Sequence, residues 1–331
     1  MRRLIVAAAA TLVVAAPAEA KTRANWNLDQ QERVAEQGVL GRLADGRFHG
    51  ERPLTGAQLS NALTVITGEP VAASSAAKLS VIAFDARLVR ALGLDDVAQH
   101  VQRTARDAGL RPPRHFGTEV VARFLGLRTN HPFKDDALEL YPWEPITRAE
   151  AAHSLDTLLR IGDWGAEHAR AQLSTFSLPR YGAQTRKALR VAVSKIGMPY
   201  IWGGETDAKS SYWGYQAHGG YDCSGFVWRV FRLSGHPAGR RVGGRTAAQQ
   251  AGEIPKAKRI RLDAVRAGDL VFFGRASFTA KATEAGVDHV GIALSDRWMI
   301  HASGQGVYVS SLEEDWRRDR FTWARRIVNP K

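Results

Sequence analysis

The chain has a single cysteine among 331 residues, Cys223. That count excludes an internal disulfide and any framework of bridges. Long apolar runs are also missing. The longest, Leu4 to Ala16, is too short to span a bilayer comfortably. It follows Arg2 and Arg3 and precedes Ala18-Glu19-Ala20, so residues 1–20 are expected to be an exported protein's signal peptide, with no stable membrane insertion after its removal. The h-region contains no cysteine, which argues against lipid anchoring. Acidic residues are short as well, 33 against 46 Lys and Arg, for a formal charge of +13. Taking away residues 1–20 removes two arginines and one glutamate and leaves +12.

Hydrophobic content is 44%, enough for real cores, and the length suits two domains. The basic surface favours polyanions. For a secreted chain these are anionic wall polymers or peptidoglycan carboxylates rather than nucleic acid. A lone cysteine retained in an oxidising compartment points to a thiol kept for its chemistry.

In the N-terminal half two stretches repeat. Pro53-Leu54-Thr55-Gly56-Ala57-Gln58 is followed by Leu59, Leu63 and Ile66; Pro145-Ile146-Thr147-Arg148-Ala149-Glu150 is followed by Ala151, Leu155, Leu158 and Leu159. Each has the Thr-x-x-Gln/Glu form of a capping box, a preceding Leu or Ile placed as a staple, and helical apolar spacing after it. Residues 74–110 are helical in pattern without the motif. Residues 162–185, with glycines, a proline and weak periodicity, are expected to be a linker between a helical domain (21–161) and a catalytic domain (186–331). Within the latter, Leu189, Val193 and Ile196 predict a helix that Gly197 and Pro199 end.

Residues 27–67 and 116–161 resemble S-layer homology repeats, most clearly at Asp45-Gly46-Arg47-Phe48 and Ile146-Thr147-Arg148-Ala149-Glu150. The resemblance implies capture of secondary cell-wall polysaccharide, with the Thr-Arg-Ala-Glu element at the groove. The first copy departs from the pattern, carrying Gly56 where the family has arginine. Two copies are found where three are common, and capping alone accounts for Thr147 and Glu150.

In the C-terminal half, Phe226, Val227, Val230 and Phe231 follow Cys223 at helical spacing until Gly235. Cys223 therefore falls in the first turn of a helix, where free N–H groups and the dipole favour thiolate. Downstream, residues 267–273, 289–294, 298–303, 306–309 and 321–328 read as strands. One helix ahead of close-spaced strands predicts an α+β unit with an antiparallel sheet. His289 and His301 fall on strands joined by a tight turn, which can bring the imidazoles together. A thiol, an imidazole base and a group orienting that base form the set acyl transfer needs, with backbone N–H groups for the oxyanion.

Asp222-Cys223-Ser224-Gly225-Phe226, Gly268-Asp269-Leu270-Val271-Phe272-Phe273, Asp288-His289-Val290-Gly291-Ile292, Ile300-His301-Ala302 and Pro199-Tyr200-Ile201-Trp202-Gly203-Gly204 together resemble NlpC/P60 cell-wall cysteine peptidases, in family order, over residues 186–328. The resemblance implies a reduced papain-like fold, no cofactor, and hydrolysis of the bond between γ-D-glutamate and a diamino acid in peptidoglycan stem peptides. It makes Cys223 the nucleophile, His289 the base and His301 the orienting residue, with Tyr200, Asp222 and Ser224 around the substrate. Residues 205–221 exceed the usual link and carry Tyr212, Trp213, Tyr215 and His218; they either shape substrate choice or form a lid packed on itself. Three alternatives stand beside this reading: a wall-binding protein with an inactive peptidase-like domain, a thiol amidase or acyltransferase, and a zinc site built from Cys223, His289 and His301.

Overall fold

The computed structural model describes residues 22–211 and 214–328. The expected signal peptide, and Tyr212 and Trp213, lie outside them.

The N-terminal half is helical: α1 (Leu28–Glu36), α2 (Gly56–Thr67), α3 (Val81–Ala91), α4 (Asp95–Asp107), α5 (Phe116–Phe124) and α6 (Arg148–Leu173). At α2 the capping box is complete. Thr55 Oγ1 accepts from Gln58 N at 3.2 Å, and Thr55 N donates to Gln58 Oε1 at 3.0 Å. At α6 it is half made. Thr147 Oγ1 accepts from Glu150 N, but the Glu150 carboxylate turns inward to His131 Nε2 at 2.9 Å and Arg128 at 3.5 Å. A buried carboxylate is stabilised more by two cationic or N–H partners than by one backbone amide. A third capped start occurs where no motif was legible. Ser80 Oγ accepts from Ala83 N at the head of α3. Ala83 occupies the position where a box would place Glu or Gln, so the reciprocal signal is missing.

These three starts tie together. Leu54 N donates to Ile146 O at 2.9 Å, Ile146 N to Leu79 O at 2.8 Å, and Val81 N to Glu144 O at 3.0 Å, over buried Leu54, Leu79 and Ile146. Arg148 is 1% exposed. Its guanidinium donates to Phe48 O and Gly41 O and lies 4.6 Å over the Phe48 ring. The charged member of the Thr-Arg-Ala-Glu element is thus committed to holding the first repeat's loop.

The expected linker differs from the structure. Gly162, at φ 51°, kinks α6, but the helix resumes and runs to Leu173. Residues 174–182 then cross to the C-terminal half in close packing. The Phe176 ring meets Trp298 at 5.2 Å, and Tyr181 Oη donates to Leu294 O at 2.9 Å. Both side chains are buried in one apolar core that continues through the two halves. Glycine content and weak periodicity marked a bend here, and the bend is packed.

The C-terminal half begins with α7 (Ala183–Val193). Two short ladders follow, β1 (Glu205–Thr206) with β4 (Gly220–Tyr221), and β2 (Ser210–Ser211) with β3 (Gly214–Tyr215). Next come α8 (Cys223–Trp228), continued by a π-helical turn at Arg229–Leu233, and α9 (Ala247–Gly252). The main sheet holds β5 (Leu270–Gly274), β6 (Val287–Ala293), β7 (Trp298–Ser303), β8 (Gly306–Ser311) and β9 (Phe321–Arg325), with α10 (Asp315–Arg320) before β9. It is antiparallel in the order β8-β7-β6-β5-β9. The expected α+β architecture is present. α8 packs on β6 and β7, with Phe226 and Val227 joining Phe272, Val290, Ile292 and Ile300 in the core.

Candidate active site

Asp222 caps α8, so Cys223 is its first residue. Asp222 Oδ1 accepts from Gly225 N at 2.5 Å and from Ser224 Oγ at 3.1 Å. Gly225 must lack a side chain, because a Cβ there would lie 2.0 Å from Gly204 O. One cation organises the surroundings. Arg245 donates to both oxygens of Asp222 at 2.9 Å, to Glu205 Oε2 at 3.1 Å, to Ser224 Oγ at 3.0 Å and to Gly203 O at 2.7 Å. Asp222 and Ser224, both expected near substrate, are thus held within this arginine's network.

The Cys223 thiol is 8% exposed, and the backbone N–H groups of Ser224 and Val290 point at it. Val290 directly follows His289, which places the sulfur beside the start of β6. Tyr200 stands next to the thiol. Burial, then the fields of Cys223 and Asp222, push its phenol pKa far up, so it remains a donor.

On the β6–β7 hairpin, Ile292 pairs with Ile300 and Ala293 with Met299. That register sets His289 and His301 diagonally on one face. Gly291 keeps the space between them open: a Cβ there would meet Met299 Sδ at 2.8 Å and His301 Cβ at 3.2 Å. His289 Nε2 lies 2.8 Å from His301 Nδ1, and His301 Nε2 lies 2.8 Å from Ser310 Oγ. Arg317 donates to the same Ser310 oxygen at 2.8 Å and to Glu314 at 3.1 Å. Both nitrogens of His301 are therefore engaged, and Nε2 of His289 is taken by the first of these bonds.

The protonation state differs from the expected thiolate. Burial, then the negative field of Asp222, pushes Cys223 up to about 12. Burial, then the positive charges of Arg317 and Arg320, pushes His289 down to about 3. His301 is driven well below its ordinary value by the same burial, with Arg317 adding. Both shifts favour the uncharged forms, a thiol at Cys223 and a neutral imidazole at His289. The six-residue α-helix that begins at the cysteine does not offset removing an anion from water beside a carboxylate.

The N-terminal half also reaches this site. Asn130 Oδ1 accepts from Tyr200 N at 2.9 Å, and Asp136 Oδ2 accepts from Trp202 N at 3.2 Å. Burial pushes the Asp136 carboxyl up to about 6. Phe133 and Trp202, 71% and 70% exposed, face each other at 6.4 Å. Residues 205–221 lean on the same half. Tyr141 Oη accepts from Gly219 N at 3.1 Å and its ring lies 4.1 Å from His218, while Trp143 stacks on Tyr141.

The sequence reading missed Arg245, Ser310, Arg317, Asn130 and Asp136. Arg245 lay in a stretch visible only as basic and glycine-containing. The others carry no local signal, since each acts across more than five residues of chain or from the other half.

Residues 197–326 match the family model described as "NlpC/P60 family". Among similar proteins, the probable peptidoglycan endopeptidase LytE of Bacillus subtilis (strain 168) is 32% identical over 141 residues, 43% of this chain and 34% of that protein. The murein DD-endopeptidase MepH of Escherichia coli (strain K12) is 29% identical over 158 residues, 45% of this chain and 49% of that protein. The gamma-D-glutamyl-L-lysine dipeptidyl-peptidase of Bacillus subtilis (strain 168) is 30% identical over 122 residues, 36% of this chain and 33% of that protein. The chain thus spans between a third and a half of the length of these relatives. Residues 197–326 of this chain are an NlpC/P60 domain.

Proposed function

We propose that the protein is a cysteine endopeptidase that hydrolyses stem peptides of peptidoglycan, at the bond between γ-D-glutamate and a diamino acid. The observation that carries the reading is a thiol at a helix start, beside the strand bearing His289, with His289 bonded to His301 at 2.8 Å. The names of the similar proteins span more than one bond, so the bond rests on the motif resemblance.

In this mechanism His289 Nδ1 takes the thiol proton as Cys223 Sγ attacks the acyl carbon. The N–H on Nε2 of His289 donates to His301 Nδ1, and His301 Nε2–H donates to Ser310 Oγ, which also accepts from Arg317. This direction of donation fixes the tautomer that leaves Nδ1 of His289 basic. In this reading the backbone N–H of Cys223 and the protonated Tyr200 phenol donate to the oxyanion. The imidazolium of His289 then returns its proton to the leaving amine. Water, deprotonated by the same imidazole, releases the acid from the thioester.

This reading places the protein outside the cytoplasmic membrane, as the basic, apolar, Ala-x-Ala start of the chain suggests. Among the described residues no helix is long and apolar enough to cross a membrane. The commitment of Arg148 to backbone carbonyls favours a scaffolding use of the N-terminal repeats over polysaccharide capture by that residue.

Mass spectrometry of purified muropeptides incubated with the chain and with Cys223→Ala tests the proposal. A product cut after γ-D-glutamate, absent with the variant, is expected. Cleavage at another bond overturns the bond assignment. No product from folded, reduced protein overturns the enzymatic reading.

A further inference from the structure

Positive charge collects around Gly109, in the turn after α4. The Gly109 carbonyl accepts from Arg190 Nε at 2.7 Å. Its missing side chain makes room for Arg186: a Cβ there would lie 3.1 Å from Arg186 Cδ. Arg111 follows two residues on. Arg186 and Arg190 belong to α7, in the C-terminal half, so the three guanidinium groups gather across the junction of the halves. None of the residues placed around the thiol belongs to this group.

The grouping is unfavourable as it stands. Arg186 and Arg190 are four residues apart on α7, a spacing that sets like charges side by side. Arg190 is pulled below its ordinary pKa, by desolvation first and then by the charges of Arg111 and Arg186. Arg111 has φ 56°, in the left-handed region that a residue with a side chain rarely adopts. The fold does not offset these terms. Among the described residues none of the three forms an ion pair, not even with Asp107 at the end of α4. Arg186 uses one N–H on Tyr181 O at 3.3 Å and Arg190 one on Gly109 O. Their other N–H groups, and the whole Arg111 fork, have no hydrogen-bond partner among the described residues.

The unused donors specify the ligand. A single small anion would satisfy one fork and leave the other two facing each other; a polymer that repeats its anionic group can place one against each arginine. Guanidinium forks match phosphate oxygens, and tetrahedral phosphate presents them to donors arriving from two elements, whereas the two oxygens of a carboxylate share one plane. No large exposed apolar side chain lies on residues 109–113 or on α7, so nothing there would enter a lipid bilayer. We propose that Arg111, Arg186 and Arg190 form a binding site for a soluble phosphodiester polymer, with the strand running across the junction of the two halves. That such a polymer belongs to the cell envelope rests on the peptidoglycan reading; the site itself rests on the three arginines.

The test uses the full chain and synthetic poly(glycerol phosphate), with binding followed by calorimetry at low salt. Saturable binding is expected for the chain and for Cys223→Ala, and should weaken as sodium chloride is added. Arg111→Gln should weaken it about tenfold, the loss expected for one charge-assisted contact. Its thermal unfolding should be no lower than that of the unsubstituted chain, because this side chain makes no bond within the fold. Arg190→Lys keeps the charge but loses the fork, and should weaken binding as well. Arg318→Gln, which removes the same charge from an exposed position on α10, should leave the affinity within about twofold. No binding at millimolar phosphate groups overturns the proposal. So does an equal loss in Arg318→Gln and Arg111→Gln, because the polymer would then follow net charge and not this site. Equal or tighter binding of polyglutamate of matched charge overturns the choice of phosphate. Binding to phosphatidylglycerol vesicles in place of the soluble polymer overturns the choice of partner. Because the polymer carries no peptide, failure of muropeptide cleavage with polymer binding intact would overturn the endopeptidase reading alone.

Discussion

Cys223 should alkylate slowly at neutral pH, and the pH dependence of that reaction tests the resting state described above. With the thiol pushed up to about 12, the thiolate fraction at pH 7 is about 10⁻⁵, against about 3% for an ordinary cysteine. That is a deficit of roughly 3,000-fold. A more basic thiolate is also a better nucleophile, and a Brønsted slope of about 0.4–0.5 returns a factor of roughly 25–60. The net expectation is a rate about a hundredfold below that of a free thiol. The assay is iodoacetamide labelling at a series of pH values, quenched and read by intact mass. The rate should climb about tenfold per pH unit from neutrality towards pH 10. Steric shielding of the 8% exposed thiol lowers every point equally and leaves the slope intact. A rate that is flat from mildly acid to mildly alkaline pH would refute the reasoning, because only a thiolate already formed against an imidazolium gives a plateau there. Faster labelling than a free thiol at pH 7 would refute it equally.

Arg245→Ala removes the cation shared by Asp222 and Glu205 beside the cysteine helix, and should lower stability by about 3–5 kcal/mol, measured by denaturant unfolding. A loss below about 1 kcal/mol would mean that water reaches those carboxylates freely. Burial pushes Glu139 up from 4.5 to about 8, so the folded state keeps a proton that the unfolded chain has released. Stability associated with this group is complete below about pH 4.5, falls as pH rises towards 8, and is level above. Glu139→Gln, which still offers an acceptor to His131 N, should flatten that decline and stabilise the protein at pH 8 by on the order of a few kcal/mol. An unchanged pH profile of the melting temperature would show that Glu139 is ionised in the fold.

The elements legible in the sequence were those whose cause is local. The Thr55 cap, the helix after Cys223 and the five strands of the main sheet each follow from spacing within about ten residues, and the structure has them all. The meeting of His289 and His301 was legible because a tight turn fixes hairpin register, and Gly291 between them needed only to be small. Other features depend on long-range partners. Glu150 leaves its capping box because His131 and Arg128 arrive from elsewhere in the fold. Arg245 is one of many arginines until the chain brings Glu205 and Asp222 to it. The upward push on the thiol was not legible for the same reason: a helix terminus is visible in a sequence, whereas the depth of burial and the sign of neighbouring charge are properties of the folded whole.

The hydrogen bonds from Asn130 to Tyr200 and from Asp136 to Trp202 bear on how such a protein can diversify. The thiol, the imidazoles and their supporting arginines belong to the C-terminal half. The two acceptors that fix the backbone of Tyr200 and Trp202 come from the other. Grafting the C-terminal half onto a different N-terminal partner would unfasten the rim of its cleft and also open the apolar core that the two halves share. Small changes in residues 130–136 would instead retune that rim without touching a reacting group, so substrate preference in this architecture is open to change from a part of the chain that performs no chemistry.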